Sequence, residues 1–282
     1  MLRKEKIKEL RIFAIKIRME TMKEIGNLGF GHVGGALSIA DTLAVLYGEV
    51  MKIDPQNSQW EGRDWLICSK GHAGPAIYAA LGLRGFFPLE ELQTLNKPGT
   101  HFPSHCDRNL TTGVDMTTGS LGQGFSLAVG VALGHRMDKR TNYTYLILGD
   151  GEIQEGQVWE AASYAAQSEL DNLIVFVDCN KKQLDGYTRN INDLRDIAQK
   201  FASFGWHTQD IDGSKVAEIH EGIEKAKAAK GKSSVIVLNT IKGKGWSFAE
   251  DAISNHHMTI NKDQMDEALY ELEKELEEVE KE

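Results

Sequence analysis

Only three cysteines, Cys68, Cys106 and Cys179, occur in 282 residues, and no two form a Cys-x-x-Cys pair. That excludes a disulfide framework and a cysteine zinc site, and suits a reducing, cytoplasmic setting. Positive charge is also short. Lys and Arg total 32 against 41 Asp and Glu, a net charge of −9. With no basic surplus to release counterions from a phosphate backbone, nucleic acid is not an expected partner. Apolar runs such as Leu173 to Val177 fall far short of the ~20 residues of a membrane helix, so no membrane span is expected. The N-terminus is basic, but Glu5 and Glu9 interrupt it, and Ile7, Leu10, Ala14 and Ile17 recur at helical spacing. Residues 1–25 therefore predict an ordinary first helix rather than a leader. No Pro/Ser-rich linker or internal repeat divides the chain, so one domain is expected over 1–282.

What the chain does have is a 41% hydrophobic content, enough for a substantial core, and 28 glycines. Glycine at about 10% exceeds the usual ≈ 7%, and it gathers beside His and Asp, as in backbone-lined ligand sites. Four apolar or β-rich runs, Trp65 to Cys68, Tyr143 to Leu148, Leu173 to Cys179 and Val235 to Thr240, read as buried strands. Helical stretches separate them: Ser38 to Tyr47, Gly122 to Met137, Gln157 to Gln167 and Val216 to Ala229. This alternation predicts an α/β fold with a mainly parallel central sheet covered on both faces, a three-layer α/β/α arrangement. Leu269, Leu272, Leu276 and Val279 mark an acidic amphipathic helix over 263–282.

Ligands in such sheets bind beyond the carboxyl ends of the strands. The groups that follow the four runs are Ser69-Lys70-Gly71-His72, Gly149-Asp150-Gly151-Glu152, Asn180, and Lys242-Gly243-Lys244-Gly245. Asp150 and Asn180 would meet if their strands are neighbours. A carboxylate and an amide oxygen are hard ligands suited to Mg²⁺, with Ca²⁺ or Mn²⁺ as substitutes, and Mg²⁺ normally shares its shell with phosphate oxygens. Gly149 and Gly151 would let the backbone approach those phosphates, whose charge a following helix N-terminus favours. Gly-Asp-Gly by itself also makes a plain turn. Its pairing with Asn180, with 28 residues intervening after Gly151, resembles the diphosphate motif of thiamine-diphosphate enzymes.

Three further segments resemble successive signatures of transketolases: Gly31-His32-Val33-Gly34-Gly35, Ser69-Lys70-Gly71-His72-Ala73, and Thr117-Thr118-Gly119-Ser120-Leu121-Gly122-Gln123-Gly124. With Gly149 to Gly156 and Asp178 through Asp185-Gly186, the resemblance runs from about residue 10 to residue 260. Gly-Ser-Leu-Gly-Gln-Gly discriminates best, since deoxyxylulose-phosphate synthases differ there, and α subunits of 2-oxo acid dehydrogenases lack the paired Gly-His loops. The resemblance implies a thiamine-diphosphate-binding fold and the N-terminal subunit of a split transketolase. The family's pyrimidine-binding domain, with the glutamate that helps activate the cofactor, is then expected on a second polypeptide, in a heterotetramer.

By this resemblance Asp150, Asn180 and the carbonyl of Lys182 ligate the metal, and Gly151 and His72 meet the diphosphate. Gly119 and Leu121 lie beside the cofactor ring, and His32, His105 and His256 face substrate, His256 also the cofactor. His135, His207 and His220 carry no such assignment. Two departures from the family pattern stand out. His105 sits in Ser104-His105-Cys106 where the family has Gly-His-Pro, and Asn255 replaces the tryptophan that short relatives place before the last histidine. His257 is an alternative to His256. A zinc cluster of His101, His105, Cys106 and Asp107 is disfavoured because Pro103 prevents one helical face from presenting them. Lys242 and Lys244 are either phosphate ligands or plain loop lysines. Glu155 matches a family glutamate between paired active sites, or is simply an acid favoured in the first turn of a helix.

The implied reaction moves a two-carbon ketol unit from a ketose phosphate to an aldose phosphate, with the cofactor as electron sink. The substituted loop at Ser104 to Asp107 keeps open another thiamine-dependent transferase acting on a non-standard sugar phosphate. A noncatalytic cofactor-binding subunit is the third reading.

Overall fold

The computed structural model describes residues 2–184 and 186–282; Asp185, at the end of the matched segment, and Met1 lie outside the described residues. Five strands form the central sheet: β1 (Trp65–Cys68), β2 (Thr144–Gly149), β3 (Leu173–Cys179), β4 (His207–Asp212) and β5 (Ser234–Asn239). Their order is β1-β2-β3-β5-β4 and every pairing is parallel. The interior strands are buried on both faces, which explains their nearly unbroken apolar runs.

Alternate strand residues sort into two cores. Tyr145, Ile147, Ile174, Phe176, Ile236 and Leu238 face α1 (Lys4–Leu28), α2 (Val33–Leu37), α3 (Ala40–Val45), α4 (Gly74–Leu83), α8 (Val216–Ala228) and α9 (Lys262–Lys281). Leu146, Leu148, Val175, Val177, Val235 and Val237 face α5 (Gln123–Met137), α6 (Gly156–Gln167) and α7 (Ile197–Ser203). The three layers predicted from the sequence are therefore present. The expected helix at Ser38 to Tyr47 is α3 continued by a wider π turn over Leu46–Val50. The window Val33–Val50 is long and apolar enough to cross a membrane, but it lies in the core of the first layer.

One element departs from expectation. β4 has no counterpart among the four predicted strands, because it is only partly buried and carries His207, Gln209 and Asp210 in place of an apolar run. The register fixes the rim of the sheet. Cys68 lies beside Ile147, Gly149 beside Asp178, and Cys179 beside Asn239, so the residues just past these tips converge.

Candidate active site

A cleft of about 200 Å³ opens at that rim, lined in part by Gly35, Lys70, His72, Leu121, Asp150, Gly151, Asn180, Lys182, Lys242 and His256. Its floor is organised by Asp178, fully buried at the end of β3. This carboxylate accepts from Lys70 Nζ at 2.5 Å, Ser38 Oγ at 2.7 Å, Asn180 Nδ2 at 2.9 Å and the Thr240 hydroxyl. Burial alone would push Asp178 up, but the Lys70 ammonium and these hydrogen bonds hold it below the usual carboxylate range. One charge thus fastens four chain segments. While its Nδ2 donates to Asp178, the Asn180 Oδ1 accepts from the Lys182 amide at 3.2 Å.

Glu152 is a second buried fastener. It accepts from the Ser69 hydroxyl, from the amide of Gly122 at 2.8 Å and from that of Gly149 at 3.0 Å, tying the three glycine loops together. Their backbones touch directly: a Cβ on Gly71 would sit 2.7 Å from the carbonyl of Thr118. Sequence reasoning assigns a role to neither Asp178 nor Glu152. The available signal is a charge inside or just past an apolar strand run, since a fully buried charge requires a partner.

Asp150 stands on the floor beside this network, accepting from the amides of Gly151 at 2.8 Å and Lys181 at 2.6 Å. Burial, and then the nearby Asp178, push its carboxyl up to about 7 against those amides. Asp150, Asn180 and Lys182 all line the cleft. The Lys182 carbonyl accepts from the Lys242 ammonium at 3.0 Å. A buried carboxylate beside two neutral oxygens fits a hard divalent ion. Among the described residues no group of three or more His, Cys, Asp or Glu side chains is placed to hold a metal ion.

The structure separates the two lysines of the Gly-Lys-Gly loop. Gly243, at φ +88° and with the Ala249 backbone 2.8 Å from where a Cβ would be, reverses the chain between them. Lys242 turns into the cleft, where burial and then Lys70 bring its ammonium down to about 8. Lys244 turns away to Asp41, at 3.1 Å.

His72 and His256 line the cleft and belong to a larger histidine cluster beside it. The His72 ring lies 4.7 Å from His256, and His32 lies 5.3 Å from both His72 and His256, 5.5 Å from His105 and 4.8 Å from His257. Burial lowers all four inner rings. His32 falls to about 4 with help from His257, His105 and Lys242, and His256 falls to about 3 with help from Lys242 and His32. At neutral pH they are neutral imidazoles, able both to donate and to accept. His256 lines the cleft and its Nδ1 is 3.3 Å from Lys242 Nζ, whereas His257 points outward. Asn255, fully buried, donates to the carbonyls of Lys242 and Ala249 while its backbone carbonyl accepts from Gly34. It thus joins the His256 loop to the His32 loop.

The remaining predicted residues divide. Leu121 lines the cleft and is 36% exposed, whereas Gly119 sits against the His105 ring. Glu155 is exposed ahead of α6 and does not line the cleft.

A cleft at the tips of a parallel sheet, floored by buried carboxylates and glycine loops with imidazoles beside it, is the setting expected of a thiamine-diphosphate-binding domain. Residues 9–277 match the family model for the transketolase thiamine diphosphate binding domain, and the chain belongs to that family. The solved transketolase of Campylobacter jejuni superposes with a TM-score of 0.88 at 28% identity, over 96% of this chain and 43% of that one. This chain thus spans under half of such full-length enzymes. Two proteins that are themselves separate subunits match almost end to end. The 6-deoxy-6-sulfo-D-fructose transketolase subunit SqwG of Clostridium sp. (strain MSTE9) is 57% identical over 92% of this chain and 94% of its own length. An apulose-4-phosphate transketolase subunit of Phocaeicola vulgatus is 32% identical over 98% of each. The chain is accordingly a subunit of a split transketolase, a transferase.

Proposed function

We propose that this chain, joined to a partner subunit carrying the pyrimidine-binding half of the site and its glutamate, transfers a two-carbon ketol unit from a sulfonated six-carbon ketose to an aldose phosphate. The observation that carries the donor is the 57% identity, over nearly the full length of both chains, to the 6-deoxy-6-sulfo-D-fructose transketolase subunit. Transketolases encoded as single chains, such as that of Mycobacterium leprae at 37%, stand further off, which favours a non-standard sugar over the ordinary pentose-phosphate donors.

Asp150, Asn180 and the Lys182 carbonyl would hold Mg²⁺, and His72, Lys242 and the Gly151 amide would hold the diphosphate. Thiamine diphosphate, when bound, supplies the electron sink that lets a ketose C2–C3 bond break. The chain's own share is orientation and proton traffic. His32, His105 and His256, neutral at pH 7, would bind sugar hydroxyls and shuttle protons at their ring nitrogens. Leu121 would flank the flat ring of the cofactor. Its exposure, like that of Leu184, which also lines the cleft, leaves apolar surface there for a partner to cover. Two copies of each subunit would form the heterotetramer, with Glu155 between paired sites. The three free cysteines suit a cytoplasmic location.

The test is a donor panel with the purified two-subunit complex, Mg²⁺ and thiamine diphosphate. 6-Deoxy-6-sulfofructose, with glyceraldehyde 3-phosphate as acceptor, should release a four-carbon sulfonated aldose with a kcat/KM at least about tenfold above that for fructose 6-phosphate. Preference for fructose 6-phosphate would reject the sulfonated donor.

A further inference from the structure

His257 and Phe30 are left over once the cleft is accounted for, and their position is specific. Phe30–Gly31 pairs antiparallel with Met258–Thr259, Gly34 N donates to the Asn255 carbonyl at 2.9 Å, and Ile260 N donates to the Gly29 carbonyl at 2.8 Å. The two loops are therefore zipped together on either side of the histidines. His256 enters the cleft beside His72, and His257 emerges past His32, with ring centroids 4.8 Å apart at 83°. The Phe30 ring, 42% exposed, follows at 5.8 Å from His257. From the diphosphate floor outward the rings run His72, His256, His32, His257 and Phe30, and exposure rises from the first to the last two.

We infer that His257 and Phe30 form the outer wall of the donor channel and select for the outer half of the ketose, the hydroxyl-bearing carbons beyond the bond that breaks and their terminal anion. The inference rests on the proposed ketol transfer, in which His32 takes hydroxyls near the reacting carbons. A sugar long enough to pass His32 meets the His257 imidazole N–H next, and Phe30 supplies an apolar side against its carbon chain. A terminal sulfonate or phosphate presents the same acceptor oxygens to that donor, so the two are separated by measurement.

The test compares donors that have an outer half with one that lacks it. In the two-subunit holoenzyme, KM is measured for 6-deoxy-6-sulfofructose, fructose 6-phosphate and hydroxypyruvate, a three-carbon donor, in the wild type, His257→Ala, His257→Gln and Phe30→Ala. For His257→Ala the KM of the six-carbon donors should rise about tenfold relative to that of hydroxypyruvate, as expected for one lost hydrogen bond to a charged or hydroxyl group. His257→Gln should recover most of that ratio, and Phe30→Ala should shift it about threefold. A larger shift for one six-carbon donor identifies which terminal anion the wall prefers. An equal rise for all three donors would show that His257 merely props His32, and an unchanged ratio would show that it touches no sugar; either overturns the inference. A wild-type complex that uses fructose 6-phosphate but no sulfonated ketose rejects the proposed donor alone, and the His257 ratio is then decided on fructose 6-phosphate. Absence of transfer from every donor overturns both.

Discussion

The floor and the wall of the cleft are built on different principles. On the floor, Asp178 is fully buried and takes four donors, Glu152 takes three, and Asp150 is gripped by two backbone amides. Along the wall the imidazoles touch mainly one another, edge to face, and grow more exposed towards the mouth. An over-determined charge network fixes geometry before any ligand arrives, which suits a metal and a diphosphate that are always the same. A row of neutral rings with spare donors and acceptors suits sugars that differ, and it stays open on the side where a partner would close it.

The comparison breaks first if the floor is not the metal site. Asp150→Ala should lower kcat/KM of the complex roughly a thousandfold or more, with Mg²⁺-dependent cofactor binding lost by calorimetry, because it removes the carboxylate of the proposed metal site. Next in size is Lys70→Met. It leaves the Asp178 carboxylate buried without its cation, so urea unfolding of the chain should show a loss of about 3–5 kcal/mol, part of it restored in Lys70→Met/Asp178→Asn. If the single variant is as stable as the wild type, the network is not holding the floor.

Smaller effects sharpen the contrast. Lys242→Met should weaken thiamine diphosphate about tenfold by fluorescence titration while Lys244→Met changes it less than about twofold, since only the first side chain enters the cleft. The smallest effect is the acid response of the wall. Folded-state values near 4 for His32 and 3 for His256 lie below the ordinary 6.5, so the unfolded chain binds more protons in this window. The stability these neutral rings contribute is present above pH 6.5 and is lost as pH falls through about 4 to 3. Thermal melts from pH 7 to 4 should show Tm declining less steeply in His32→Gln/His256→Gln than in the wild type.

Much of this is readable in the sequence. β1 and β3 coincide with their predicted runs, because strands buried on both faces must be apolar throughout. β4 is not readable, since it is only partly buried and its polar residues break the apolar pattern that marks the other strands. Asp150 and Asn180 follow from their spacing and lie on adjacent strand tips. The roles of Asp178, Lys70 and Glu152 as fasteners depend on which segments meet in space, and a one-dimensional pattern shows only an unexplained charge among apolar neighbours. The different fates of Lys242 and Lys244 depend on a single reversed backbone angle at Gly243.

The most direct test of the division between floor and mouth is calorimetry of the isolated chain with excess Mg²⁺, comparing thiamine diphosphate with inorganic pyrophosphate, before and after the partner is added. If the floor is complete and the ring end belongs to the partner, the isolated chain binds both within about threefold of one another, and the partner tightens thiamine diphosphate alone. An isolated chain that binds neither, or that already binds thiamine diphosphate far more tightly than pyrophosphate, would contradict the account.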